Sequence, residues 1–196
     1  MAKTGAEGPS RPLARVAAPT ERGRLVARGS AENPANRFER LAYAEDPEFV
    51  DGAPDNGDGR EAALQTRYYR DPSRTLIARN ESPDVGFSAS INPYRGCEHG
   101  CSYCYARPTH EYLGLSAGLD FETHILVKED APALLEKALR APSWEPEVIA
   151  ISGVTDPYQP VERRLRITRG CLGVLAKYRN PCSIITKSGL VTRDID

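Results

Sequence analysis

Periodic patterning is clearest in the second half of the chain. In VGFSASIN (85–92) polar and apolar residues alternate, the period-2 signature of a strand. FETHILVK (121–128) is another extended segment. EDAPALLEKALRA (129–141) consists of helix formers, opens on acidic residues and closes on a basic one, as the helix macrodipole favours. EVIAISGV (147–154) is a buried-strand run closed by glycine. TRGCLGVLAKYRN (168–180) reads as a helix with Thr168 at its N-cap and Asn180–Pro181 as its stop. CSIITKS (182–188) is a third core strand. Strands separated by helices predict βαβ units, a parallel sheet and right-handed crossovers.

Upstream the pattern fades. Over residues 1–60 Gly, Pro, Ala and Arg dominate and no apolar period persists, which predicts a disordered tail ahead of an ordered domain at 61–196. Charge is segregated within that tail. Residues 1–40 carry 8 Lys+Arg against 4 Asp+Glu, and residues 41–60 carry 1 against 6. Halves of opposite sign attract one another; contact of the basic half with nucleic acid is the less economical reading. NRFERL (36–41) has the makings of a short docked helix, and order resumes near TRYYRDPSRTLIARN (66–80).

Composition narrows the class. The chain has 196 residues, 40% hydrophobic and 27% charged, as an ordinary globular domain does. A formal net charge of -1 gives no global field toward nucleic acid or a membrane surface. No apolar run reaches bilayer-spanning length, and the N-terminus lacks the apolar core of a secretory signal. The expected location is cytoplasmic. In a reducing compartment a cysteine cluster points to metal or catalysis rather than to disulfides.

Such a cluster occurs in RGCEHGCSYCYA (95–106), where Cys97, Cys101 and Cys104 stand at C-x3-C-x2-C. Thiolates are soft ligands that suit zinc or iron–sulfur clusters. A structural zinc site is closed by four protein ligands, and here the fourth would be His99 or His110. Three thiolates around a four-iron cluster leave one iron open to a substrate or cofactor. Gly96 and Gly100, each preceding a cysteine, allow tight folding and let backbone N–H groups face the sulfurs. Such N–H···S bonds tune cluster potential. Pro93 stops the preceding strand.

The motif, with Tyr103 just before the third cysteine, resembles that of the radical S-adenosylmethionine superfamily. The longer run SPDVGFSASINPYRGCEHGCSYCYARPTHEYLGLSAGLDFETHILVK, with ISGVTDPYQP and IITKS after it, is similar to a branch related to spore photoproduct lyase, often labelled DNA-repair-photolyase-like. The similarity covers roughly residues 30–196, with several motifs in one order.

The resemblance implies a [4Fe–4S] cluster on Cys97, Cys101 and Cys104, with S-adenosylmethionine chelated at the open iron. Reductive cleavage then yields a 5'-deoxyadenosyl radical, with a flavodoxin or ferredoxin as reducing partner. It implies that Tyr103 lines the adenine side, that Tyr105 lies near the radical path, and that Thr155 and Lys187 hold the cofactor carboxylate. Asp156, at a strand's C-terminal end, either faces the substrate or caps a turn. Nucleic acid is the implied substrate class. The implied fold is α/β, a partial (βα)6 barrel with about three βα units, C-terminally truncated, whose open sheet edge would be sticky. Poor solubility and little turnover are expected of a chain so truncated.

One departure is chemical. The lyase carries its hydrogen-donating cysteine two residues before the hydroxyl position, and here that place is Gly153. Glycine donates no thiol hydrogen, so the lyase reaction is not inherited. Two other readings stand beside the enzyme: a zinc-bearing nucleic-acid-binding module, and a fragment that folds around its cluster without catalysis. Elsewhere the plainer readings lead. Cys171 and Cys182 read as small buried residues, and Glu162 as a partner of nearby arginines. Arg163, Arg164, Arg166 and Arg169 read as a solvated face, Tyr94 and Arg95 as packing under the loop, and Tyr68 and Tyr69 as docked on the core.

Overall fold

The computed structural model describes residues 28–38 and 65–195. Seven short strands form two small mixed sheets. The larger sheet joins β2 (Ile77–Arg79), β3 (Ala89–Ile91), β6 (Ile149–Ile151) and β7 (Cys182–Ile184) in the order β2-β3-β6-β7. β3, β6 and β7 run parallel, with Ile91 opposite Ile151 and Ile151 opposite Ile184, while β2 is antiparallel at the edge. Every residue of β3 and β6 is buried, as expected of parallel strands covered on both faces. Among the described residues β7 pairs only with β6, and Cys182 is exposed on it rather than buried.

Two helices cover this sheet: α2 (Ala131–Leu139) and α4 (Ile167–Tyr178). They present Leu135, Leu139, Ile167, Cys171 and Leu175 to the core formed by Ile91, Ile125, Ile149 and Ile151. Each such side chain contributes roughly 1.5–3 kcal/mol when fully buried. The two helices meet closely because Gly170 has no Cβ; one there would lie 2.8 Å from Pro132 Cγ.

The smaller sheet joins β1 (Arg67–Arg70), which precedes β2 in the chain, to β5 (His124–Val127) and β4 (Tyr94–Arg95), which lie inside the β3-to-β6 crossover. β5 pairs parallel with β1 and antiparallel with β4. The cysteine loop leaves β4, runs through a 3-10 helix (Arg107–Leu113) and α1 (Leu119–Thr123), and returns along β5. Its base is closed by Cys97 N–H donating to Phe121 O at 2.9 Å. The two sheets do not close into a barrel among the described residues.

Several local expectations change. FETHILVK is not one extended piece: Phe121, fully buried against the loop, ends up in α1, and the strand begins only at His124. Thr168 is not the N-cap of α4, because its hydroxyl donates to Pro157 O at 2.7 Å. The N-cap is Arg166, in left-handed conformation (φ 53°), and the buried Glu162 carboxylate accepts from Ile167 N at 3.0 Å and Arg169 N at 3.3 Å. A side chain of the short helix α3 (Glu162–Leu165) thus satisfies amides that a cap would have taken. Residues 28–38, assigned to the tail, are docked on the domain. Arg37 and Phe38 of NRFERL form a turn rather than a helix, and positions 39–41 lie outside the described residues, as do 1–27 and 39–64 of the tail. None of the helices among the described residues is long and apolar enough to cross a membrane.

Candidate metal and cofactor site

The loops that follow β3, β6 and β7 meet at the C-terminal ends of the three parallel strands, where α/β folds place their ligands. Asn92, just after β3, accepts on Oδ1 from Val154 N at 2.8 Å and Thr155 N at 3.4 Å. The Thr155 hydroxyl donates to Tyr94 O at 2.7 Å. The cysteine loop and the β6 loop interlock reciprocally: Glu98 N donates to Gln159 Oε1 at 2.9 Å and Val161 N to Glu98 Oε1 at 3.0 Å. Buried polar groups on both sides are thereby paired, which makes the junction a fixed one.

Within the loop Cys97 is 6% exposed, whereas Cys101 and Cys104 are half-buried. Burial pushes the Cys97 thiol up to about 11, and the backbone N–H groups of Asp156 and His99 at its sulfur act in the opposite sense. A metal bound there would replace the thiol proton, and the same N–H groups would face a ligated sulfur. Tight turns close the segment, with Gly100 N donating to Cys97 O at 3.1 Å and Cys104 N to Cys101 O at 3.2 Å. Gly100 adopts φ +61°, and a Cβ there would sit 2.7 Å from Glu122 Oε2, so only glycine fits.

One further group approaches the sulfurs, from the loop after β7. Lys187 Nζ lies 3.0 Å from Cys101 Sγ, a contact that holds its ammonium above the usual range. Asp156 carries this arrangement, accepting from Thr186 Oγ1 at 2.7 Å, Lys187 N at 2.9 Å and Tyr158 N at 2.8 Å. His99 Nε2 faces the same carboxylate at 3.5 Å. Asp156 therefore clasps the ends of β6 and β7 rather than presenting a free carboxylate.

Of the two histidines considered as a fourth metal ligand, His99 keeps a buried Nε2 without a hydrogen-bond partner, and His110 is held through one ring nitrogen while its Nδ1 has none. His110 is fully buried, with Nε2 at 3.0 Å from His124 O and its ring edge-on to Phe121. Burial lowers its pKa to about 4 and keeps it neutral. Among the described residues no group of three or more His, Cys, Asp or Glu side chains converges as on one ion. Cys97, Cys101 and Cys104 supply three thiols from one loop, with an ammonium beside Cys101. That chemistry fits an all-thiolate iron–sulfur cluster.

Tyr103 and Tyr105 flank the third cysteine and are 85% and 76% exposed. The Tyr105 hydroxyl donates to Gly153 O at 2.7 Å. At Gly153 a Cβ would lie 2.9 Å from Ser90 Oγ, so a side chain there would press on Ser90. Ser152 beside it holds φ 85°, rare for a residue with a Cβ and the kind of backbone strain that collects at functional sites.

The structure thus brings Cys97, Cys101, Cys104, Lys187, Asp156, Tyr105 and Gly153 to one end of the sheet. Thr155, expected at the cofactor carboxylate, is 2% exposed and spends its hydroxyl on the backbone. Sequence reasoning missed the residues that brace the loop, above all Arg107 and Glu122. Arg107 donates to Cys101 O at 2.9 Å, Gly100 O at 2.8 Å and Glu122 Oε1 at 2.6 Å. Their separation of 15 residues matches no helical or strand period, so nothing in the pattern links them.

No family model matches the chain, and no solved structure does. It is 46% identical over 121 residues to uncharacterized protein Rv2578c of Mycobacterium tuberculosis, covering 60% of this chain and 36% of that protein. It is 36% identical over 118 residues to uncharacterized protein MJ0683 of Methanocaldococcus jannaschii, covering 60% of this chain and 42% of that protein. The chain therefore spans about two-fifths of the length of these relatives.

Proposed function

We propose that this protein is a radical S-adenosylmethionine enzyme, with Cys97, Cys101 and Cys104 as ligands of a [4Fe–4S] cluster. What carries the reading is the meeting of the C-x3-C-x2-C loop with a lysine from the loop after β7, Nζ at 3.0 Å from Cys101 Sγ, at the C-terminal ends of three parallel strands. Held by Cys97, Cys101 and Cys104, such a cluster would supply one electron to S-adenosylmethionine, whose C5'–S bond would break to leave methionine and a 5'-deoxyadenosyl radical.

The chain's own residues bind and orient. Lys187, exposed at the rim, offers a cation to the cofactor carboxylate beside the thiolates. Asp156 fixes the backbone of Lys187, and Thr155 fixes the β6 loop to the backbone of Tyr94, so both act by positioning. Tyr103 stands free to cover the adenine, and Tyr105 places its phenol over Gly153, beside the radical path. The substrate class proposed is nucleic acid and the reductant a flavodoxin or ferredoxin, both drawn from the motif resemblance.

Anaerobic reconstitution with iron and sulfide tests this. We expect a brown protein absorbing near ~400 nm with about four irons per chain, and 5'-deoxyadenosine on addition of dithionite and S-adenosylmethionine. Lys187→Ala should keep its iron and need roughly tenfold more S-adenosylmethionine, about 1.4 kcal/mol of lost binding. A colourless protein carrying one zinc would reject the proposal in favour of a binding module.

A further inference from the structure

We infer that residues 28–38 form a strap whose docking governs loading of the thiolate site. Its backbone runs directly against the cysteine loop. A Cβ on Gly29 would fall 1.8 Å from Gly100 O and 3.0 Å from Ser102 N, so the two segments touch main chain to main chain. Arg28 N and Gly29 N donate to Glu122 Oε2 at 3.0 and 3.2 Å. The other oxygen of that fully buried carboxylate holds Arg107, and Arg107 holds the carbonyls of Gly100 and Cys101. A continuous hydrogen-bonded path therefore leads from the strap's amides to the second cysteine.

The rest of the strap is fastened by polar contacts. Asn33 and Asp120 bond reciprocally at 2.8 and 2.9 Å. Leu119 N donates to Glu32 O at 3.2 Å and Ser116 Oγ to Pro34 O at 2.8 Å. Arg37 pairs with Glu111 at 2.6 Å. No residue of the strap is buried, and Phe38, stacked on Tyr112, is 58% exposed. A segment held by hydrogen bonds without a core anchor opens at little cost, while the loop beneath it needs the closed arrangement. Docked, the strap keeps Glu122 and Arg107 paired and Cys101 in place; lifted, it leaves Glu122 Oε2 short of two donors. The inference rests on the cluster reading only where iron is the readout.

Two variants of the full chain test it: Gly29→Ala, which wedges strap from loop, and the double variant Asn33→Ala/Arg37→Ala, which frees only the strap's outer contacts. Hydrogen exchange is followed at the amides of 96–106 in iron-free protein, and iron loss to a chelator in reconstituted protein. Both variants are expected to exchange at least fivefold faster in that loop, with β3 and β6 unchanged, and to lose iron at least threefold faster. Loop exchange at the parent rate, or iron loss at the parent rate despite faster exchange, overturns the inference. Should Gly29→Ala not fold, the double variant decides alone. Should the parent take up no iron, the proposed function fails and the exchange comparison still decides the strap.

Discussion

Glu162 is a buried carboxylate that four groups compete to satisfy. The Tyr94 hydroxyl, the amides of Ile167 and Arg169, and the Arg193 guanidinium all donate to it at zero exposure. Glu162→Ala strands a phenol and two helix-end amides, each costing about 1–3 kcal/mol if left unpaired. We expect a loss of about 3 kcal/mol in urea unfolding. His110 supplies a pH dependence. Burial lowers its pKa to about 4 in the fold, against about 6.5 unfolded, because it outweighs the hydrogen bond to the His124 carbonyl and the pull of Asp120. Between pH 6.5 and 4 the unfolded chain therefore binds a proton that the folded chain refuses. Stability should fall by about 3 kcal/mol as pH drops across that window, and His110 should add no slope below pH 4. Urea midpoints at pH 7 and pH 4.5 would show it, and His110→Gln should lose that part of the change.

The strained turn after β6 yields two more expectations. Ser152→Gly should raise stability by about 1 kcal/mol, since glycine holds φ 85° without a Cβ penalty. Gly153→Cys should lower it by about 1–3 kcal/mol through overpacking on Ser90, and Ser90→Gly should restore part of the loss. Thermal melts of the three variants decide both. The same region shows what a sequence can convey. β3, β6, α2 and α4 stand where apolar period placed them, because they build the core; β7 stands in place too, but none of its residues is buried, and among the described residues it is held by pairing with β6. The cysteine loop was legible for the opposite reason, since its three cysteines lie within eight residues. β1 and β4 were not legible: their partner is β5, and a two-residue strand has no period of its own. Nor was the start of α4, where Thr168 had two acceptable uses and Pro157 O took it. Glu98 with Gln159, 61 positions apart, leaves no trace in the pattern at all.

Taken whole, the molecule is a loop gripped from three sides: by the strap through Glu122, by the β6 loop through Gln159, and by the loop after β7 through Lys187. Accessibility of the thiols follows from that grip. Cys97 and Cys171 are enclosed, with pKa values raised by burial to about 11 and about 12, whereas Cys182 stands open on β7. Iodoacetamide on metal-free protein should mark Cys182, Cys101 and Cys104 well before the other two, as peptide mass spectrometry would show. Cys182 also bears on how the protein behaves on the bench. Stored in air without reductant, two copies can couple sulfur to sulfur through it and run as a doublet on a non-reducing gel. That species would vanish with dithiothreitol or in Cys182→Ser and persist in Cys171→Ser, so an apparent dimer of this kind would record ageing of the sample, not its assembly.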